Sequence, residues 1–121
     1  MVVLDTNVII DFLEGKENIV AEVSKYPPSE LSMTFVNEYE LLKYKNRERL
    51  EPALQNLAVH HSNEAAVRAA ANSYRQLKAK GKMLSDNDIM IYGVCTAHDE
   101  VLLTQDKGFE ELGSNRVIVL G

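Results

Sequence analysis

The segment VVLDTN at residues 2–7 decides the fold, because it takes the chain from an apolar strand directly into a polar helix start. The segment VLLTQD at residues 101–106 repeats this step near the other end of the chain. Between the two, strand-like and helix-like stretches alternate, which is typical of a parallel α/β sheet. Ligands and metals bind at the carboxyl ends of the strands in such sheets. Asp5 and Asp106 are therefore expected at the edge of the sheet where a functional site would lie.

The predicted elements follow one another without a linker, repeat or low-complexity tract. Strands are expected at 1–4, 31–33, 57–60, 101–103 and 117–120, and helices at 7–13, 18–25, 35–45, 47–57, 63–80 and 89–98. Pro52 fits the first turn of the fourth helix, where a missing N–H costs no helical hydrogen bond. The last helix is apolar on nearly every face, so we expect it to be buried. A single domain spanning residues 1–121 is the resulting prediction.

Composition narrows the class of protein. The 121 residues are 45% hydrophobic and 26% charged, which suits one compact globular domain. No apolar run approaches the roughly 20 residues that cross a bilayer, and no secretory signal is recognisable, so no membrane association is expected. The single cysteine, Cys95, fits a reducing cytoplasm.

The charge distribution bears on possible partners. A net charge of −5 argues against binding nucleic acid through a broad basic surface, but not against an enzyme that contacts it through a metal. Two stretches, at residues 43–49 and 75–82, are nevertheless rich in lysine and arginine. A solvated helix face is the favoured interpretation of both, and a rim that faces a substrate is the alternative.

Acidic residues stand at three of the predicted junctions. Asp5 follows the first strand, where an aspartate also makes a good helix cap. Asp106 follows the fourth strand, where a plain turn is the alternative. Asp86 and Asp88 stand at the start of the buried helix, and capping would explain one of them better than both. Together these junctions indicate one acidic cluster.

The third predicted helix contains two further candidates. Glu38 and Glu40 are two residues apart, about 200° around a helix axis, so only one of them can face a given pocket. Glu40 shares a stripe with Val36 and Tyr44 at four-residue spacing, which makes it a reasonable inward candidate. Spacing alone leaves the choice open.

An all-carboxylate cluster favours one kind of chemistry. Mg²⁺ and Mn²⁺ prefer hard oxygen ligands and keep several waters. Such ions activate a water and neutralise charge on a phosphate oxygen, so phosphodiester hydrolysis is the natural reaction. Thr6, Asn7 and Thr104 are candidates to support the carboxylates or the attacking water by hydrogen bonds.

Four motifs together resemble those of the PIN-domain ribonucleases. They are VLDTN at 3–7, ELL at 40–42, DNDI at 86–89 and LLTQDKGF at 102–109. Their order and the length of the chain are similar to the small prokaryotic members, the VapC-type toxins. The resemblance extends over essentially the whole chain.

The resemblance implies a three-layer α/β/α sandwich around a parallel sheet and an endoribonuclease site that depends on Mg²⁺ or Mn²⁺. It selects Glu40 over Glu38. The implied catalytic and metal-binding residues are Asp5, Glu40, Asp88 and Asp106, with Asp86 as an auxiliary acid and Thr6, Asn7 and Thr104 as supporting residues. It also implies an RNA substrate, a cognate antitoxin partner and a homodimer.

The chain departs from the family pattern at several positions. Tyr44 stands where a glycine is common, and Tyr92, Gly93 and Val94 replace an alanine-rich stretch. A non-catalytic PIN-like module that binds RNA or protein is therefore a competing hypothesis. A phosphatase or a DNA nuclease that uses the same acids is a third.

Overall fold

The structure is a computed structural model that describes residues 1–45 and 47–121. Within these residues the strands are β1 (Val2–Leu4), β2 (Leu31–Thr34), β3 (Ala58–His60), β4 (Val101–Thr104) and β5 (Val117–Val119). The helices are α1 (Thr6–Leu13), α2 (Glu17–Val23), α3 (Phe35–Leu42), α4 (Glu51–Asn56), α5 (Glu64–Ala79) and α6 (Asp86–Ala97). Short 3-10 helices occupy Pro28–Glu30, Glu48–Leu50 and Lys107–Leu112.

The five strands form one parallel sheet in the order β3-β2-β1-β4-β5, as the alternation of elements predicted. The first strand is central, and its Leu4 is paired with Leu103 of β4. The backbone N–H of Asp5 continues this ladder by donating to the Leu103 carbonyl at 2.9 Å. The register therefore sets Asp5 beside Thr104, at the carboxyl ends of the two strands.

Apolar cores cover both faces of the sheet, which confirms the three-layer sandwich. Val2 and Leu4 belong to one core, with residues of α1, α2 and α4. Val3 belongs to the other, together with Ile91 and Cys95 of α6. Successive side chains of a strand point to opposite faces, so the apolar run of β1 supplies both cores.

The helices α5 and α6 pack closely, and Gly93 permits the close approach. A Cβ atom at Gly93 would lie 2.6 Å from the Ala66 carbonyl oxygen and 2.9 Å from the Ala70 Cβ. The glycine that departs from the alanine-rich family pattern therefore has a packing role here. The predicted burial of this helix holds in part: five of the twelve residues of α6 are buried, namely Ile89, Ile91, Gly93, Val94 and Cys95.

The predicted helix boundaries differ from the structure, and the differences are largest in three helices. The third helix ends at Leu42 rather than Lys45, which leaves Tyr44 and Lys45 in a loop. The predicted helix at 47–57 is divided into a 3-10 turn and α4, although Pro52 does lie in the first turn of α4. The last helix begins three residues earlier than predicted, at Asp86. No helix in the described part of the chain is long and apolar enough to cross a membrane.

Candidate active site

A pocket of about 660 Å³ opens at the carboxyl ends of β1 and β4. Its lining comes from segments that are distant in sequence, since α1, α3, α6 and the loop after β4 all contribute. The four predicted catalytic carboxylates line it together. The lining residues are Asp5, Thr6, Asn7, Glu40, Lys43, Tyr44, Lys45, Ser85, Asp88 and Asp106.

Asp5 is the most enclosed of the four carboxylates, with 7% of its surface exposed. Its Oδ1 accepts hydrogen bonds from the Thr6 backbone at 2.9 Å and from Asn37 Nδ2 at 3.3 Å, and its Oδ2 accepts one from the Thr104 hydroxyl at 2.7 Å. Burial raises the pKa of Asp5, while the Thr104 hydrogen bond opposes the rise. Asp5 also caps α1. Capping and a place in the site, which the sequence offered as alternatives, occur together.

Glu40 faces the pocket, whereas Glu38 is absent from its lining. The Thr6 hydroxyl donates to Glu40 Oε1 at 2.6 Å, and Asn87 Nδ2 donates to Oε2 at 3.3 Å. These bonds connect α1, α3 and α6 across the site. The geometry thus agrees with the choice of Glu40 that the family motif implied.

Asp88 lies in the first turn of α6, where the charges of the other three carboxylates affect its pKa. Burial, the neighbouring charge of Asp5 and the smaller effects of Asp106 and Glu40 together raise its pKa to about 6, although the Ser85 hydrogen bond lowers it. The expectation that an aspartate caps this helix is wrong. Ser85 is the cap, and its Oγ accepts from the Asp88 backbone N–H at 3.1 Å.

Asp106 is exposed and is tied to Asp5 through one threonine. The Thr104 hydroxyl, fully buried, donates to Asp5 and accepts from the Asp106 backbone N–H at 3.0 Å. Asp106 Oδ1 accepts from the Gly108 N–H at 2.8 Å, so it also caps the 3-10 helix that follows. The turn role and the place in the pocket again coexist.

The remaining predicted residues lie at different distances from the centre. Thr6 and Asn7 line the pocket, with Thr6 buried and Asn7 exposed. Asp86 lies outside it, in a shallow groove with Tyr74, Arg75 and Met90. The structure therefore does not bring Asp86 together with the other four acids.

Three polar residues of the site went unrecognised in the sequence: Asn37, Ser85 and Asn87. Asn37 forms a capping box with Thr34, and its position three residues after a threonine at a helix start was the available signal. Ser85 could have been identified as a favourable cap directly before Asp86. No sequence pattern marked Asn87 as a site residue, because its partner Glu40 lies on another helix, 47 residues away in the sequence.

Two lysines and a tyrosine form one side of the pocket mouth: Lys43, Tyr44 and Lys45. We refer to them as the basic rim. Tyr44 is 47% exposed, and Lys43 Nζ lies 5.0 Å from the centroid of the Tyr39 ring. Both lysines are exposed, and they line the pocket from beyond the end of α3 rather than from its helical face.

The donor set suits a hard divalent cation. Among residues 1–45 and 47–121, no three acidic, histidine or cysteine side chains already enclose a metal position. The four carboxylates line an open pocket, and the pKa of Asp88 is raised mainly by burial and then by repulsion from the other three. A divalent ion that keeps several of its own waters would relieve this repulsion without needing a closed cage.

The matches to known proteins include the strands and helices that form the pocket. The sequence model of the family described as PIN domain matches residues 2–115. A chain of VapBC-1 from nontypeable Haemophilus influenzae is 26% identical, with 99% of this chain and 98% of that chain covered and a TM-score of 0.81.

Two further solved structures share the fold. A chain of a toxin-antitoxin complex from Klebsiella pneumoniae is 20% identical, with 100% and 98% covered and a TM-score of 0.81. A chain of DNA-bound VapBC from Salmonella typhimurium is 22% identical, with 100% of both chains covered and a TM-score of 0.81. No curated protein sequence matches this chain significantly.

Proposed function

Because this chain belongs to the PIN domain family, we propose that it is a divalent-metal-dependent endoribonuclease that hydrolyses RNA phosphodiester bonds. We further propose that it is a VapC-type toxin of a type II toxin–antitoxin pair. One observation carries the proposal. Carboxylates from four separate segments, Asp5, Glu40, Asp88 and Asp106, line a single pocket, where burial and then the neighbouring charges raise the pKa of Asp88 to about 6.

The four carboxylates would hold the metal ion, Mg²⁺ or Mn²⁺. A bound ion of this kind supplies an activated water and neutralises charge on a phosphate oxygen. Thr104 holds Asp5, and Thr6 holds Glu40, so the ligands are oriented before any ion arrives. Ser85 holds the first turn of α6 and with it Asp88.

The basic rim supports a polymeric nucleic acid as the substrate. Lys43 and Lys45 stand beside an acidic pocket, where their charges suit the phosphates that flank the cleaved bond. The exposed ring of Tyr44 suits stacking on an unpaired base. Together they favour a single-stranded segment of RNA over a small phosphate ester.

The toxin role is supported by the nature of the similar structures. A 26% identical chain comes from VapBC-1, and another match is described as part of a toxin-antitoxin complex. We infer a cognate antitoxin as protein partner and a homodimer as the assembly. Co-expression with the product of an adjacent short reading frame, followed by copurification, tests the first. Light scattering of the purified chain tests the second.

Paired substitutions on α3 and α6 test the catalytic proposal. Glu40→Gln and Asp88→Asn are expected to abolish cleavage of single-stranded RNA and to weaken Mn²⁺ binding while the fold persists. Glu38→Gln is the matched control, because Glu38 lies two residues from Glu40 and outside the pocket. Full activity in a correctly folded Asp88→Asn protein would refute the proposal. Parallel assays with DNA and a phosphomonoester separate a ribonuclease from the other hydrolases.

A non-catalytic PIN-like module is the second candidate. It is favoured by Tyr44, which lines the pocket at a position where the family pattern commonly has a glycine. Calorimetry with Mn²⁺ distinguishes the two. Binding that is lost in Asp88→Asn supports the enzyme, and no binding to the native protein supports the module.

A further inference from the structure

Asn37 lies on the first turn of α3, and every hydrogen-bonding position of its side chain is occupied. It is 0% exposed. Its Oδ1 accepts from the Thr34 backbone N–H at 2.9 Å and from the Thr34 hydroxyl at 2.8 Å. Its Nδ2 donates to Asp5 Oδ1 at 3.3 Å and to Thr6 Oγ1 at 3.0 Å. An asparagine side chain offers two donors and two acceptor sites, so all four are used.

These partners fix the direction of the hydrogen bonds. The Thr34 backbone N–H can only donate, so Oδ1 of Asn37 must face it and Nδ2 must face the site. The Thr6 oxygen then accepts from Asn37. Its single proton is left for Glu40 Oε1, 2.6 Å away. The side-chain amide of Asn37 therefore holds the Asp5 carboxylate directly and the Glu40 carboxylate through the Thr6 hydroxyl.

We propose that Asn37 is a positioning residue that fixes Asp5 directly and Glu40 through the Thr6 hydroxyl. The inference rests on the proposed function, in which these carboxylates bind the metal ion. Capping of α3 requires only the Oδ1 side of the amide, which bonds to Thr34. The Nδ2 side has no part in the cap, and both of its partners belong to the acidic site.

The first test examines the hydrogen-bond chain in metal-free protein. NMR of the ¹⁵N-labelled Asn37 side-chain amide is compared in the native protein and in Thr6→Val, which replaces the hydroxyl with a methyl group of similar shape. We expect a shifted resonance and faster exchange of the amide protons with solvent. Ser32→Ala is the matched control, since Ser32 is also 0% exposed and its hydroxyl donates to the Val2 carbonyl at 2.8 Å. An Asn37 amide that is unchanged in Thr6→Val would overturn the inference.

The second test measures the effect on metal affinity. Asn37→Ala should raise the dissociation constant for Mn²⁺ about tenfold or more, as removal of a residue behind a metal ligand commonly does. Asn37→Ser, which keeps an oxygen near Thr34, replaces it if the alanine variant does not fold. Ser32→Ala should leave the affinity unchanged.

Combination with Thr6→Val identifies the route of the effect. If Asn37 acts partly through Thr6, the double variant loses less affinity than the product of the two single losses. Unchanged affinity in a folded Asn37 variant, or losses that multiply independently, would contradict the inference. A native protein that binds no Mn²⁺ would overturn the proposed function instead, and the amide test would still decide the role of Asn37.

Discussion

Without a bound cation, the charge of Asp88 lowers the stability of the folded protein. Its carboxylate is partly removed from water and stands near the charge of Asp5, and its pKa rises to about 6 from 3.8. A carboxyl group whose pKa is raised in the folded state takes up protons on folding. The fold is therefore destabilised by Asp88 at neutral pH, which is consistent with a position selected for binding rather than for stability.

Asp88→Asn should therefore stabilise the metal-free protein at pH 7. The amide removes the buried charge while keeping the shape, and we expect a gain of about 1 kcal/mol in the free energy of unfolding, after discounting for the partial exposure of the group. Urea unfolding measures it. Asp86→Asn is the control, because Asp86 occupies the same helical turn but is exposed, and its effect should stay within about 0.5 kcal/mol.

The pH dependence of this gain follows from the same shift. Asp88 is neutral in the folded state below its pKa of about 6, and neutral in the unfolded state only below 3.8. Its destabilising contribution is thus absent in strong acid, grows as the pH rises between these two values, and is constant above them. The advantage of Asp88→Asn should shrink on acidification from pH 7. A gain that stays constant down to pH 4 would contradict the assigned cause.

The sequence identified the acids of the site better than the residues that hold them. Asp5 and Asp106 were predicted because an apolar strand followed by an aspartate can be recognised from the sequence alone. Glu40 could not be separated from Glu38 by spacing and needed the family motif. Asn37 was missed because its importance comes from bonds to Asp5 and Thr6, more than 30 residues away.

At the scale of elements, the cap of α6 connects helix stability to the site. Ser85→Ala removes the acceptor for the Asp88 N–H and should cost about 1 kcal/mol of stability. RNA cleavage should also fall, because the turn that carries Asp88 loosens. Unfolding and cleavage are measured on the same preparations.

Asn63→Ala provides the matched comparison for this prediction. Asn63 caps α5 through its bond to the Ala66 N–H at 2.8 Å and lies outside the pocket. A similar loss of stability with cleavage preserved is expected. Equal losses of cleavage in the two variants would mean that the α6 cap matters only for stability.

The close contact between α5 and α6 leads to a second prediction, on the stability of the fold. Gly93→Ala places a methyl group 2.6 Å from the Ala66 carbonyl oxygen, which belongs to a backbone that cannot simply rotate away. We expect a loss of about 1–3 kcal/mol, as for other overpacked cores. Thermal unfolding measures it, with Met90→Ala on the exposed side of α6 as the control. A neutral Gly93→Ala would show that the two helices can separate at little cost.

Elements were predicted well in number and order, and less well at their ends. The helix predicted to reach Lys45 ends at Leu42, since the residues beyond it are exposed and contribute no apolar side chain to either core. The early start of α6 at Asp86 depends on the Ser85 side chain, and periodicity of apolar residues cannot detect a cap. Local chemistry at the termini decided these boundaries.

At the scale of the whole molecule, metal binding should reverse the order of stability of native protein and Asp88→Asn. Mn²⁺ at 100 times its dissociation constant stabilises a folded protein by about 2.7 kcal/mol. The native protein should gain this amount and the variant little, so the variant is more stable without the ion and less stable with it. Thermal unfolding at several Mn²⁺ concentrations tests the reversal. Equal gains in stability for the native protein and for Asp88→Asn would mean that Mn²⁺ binds at another site.

The uneven charge of the molecule predicts a salt-dependent interaction with RNA. The chain carries a net charge of −5, yet Lys43 and Lys45 line the pocket. Replacing both with glutamine should raise the Michaelis constant for RNA and reduce its logarithmic salt slope by about 0.7 for each lost phosphate contact. Arg75→Gln with Lys78→Gln, on exposed positions of α5, is the control. Equal effects of the two pairs would indicate attraction by overall charge rather than by the basic rim.

The strand order has a consequence for how the protein is made. Asp5 and its partner Thr104 are 99 positions apart, because the central strand β1 is the first of the five strands in sequence order and its neighbour β4 is the fourth. A growing chain folds from its N-terminus as it leaves the ribosome. Asp5 is therefore synthesised well before Thr104 and Asp106 are added. The pocket cannot be completed until β4 and the turn after it have been made, so the nascent chain lacks its full set of carboxylates up to that point.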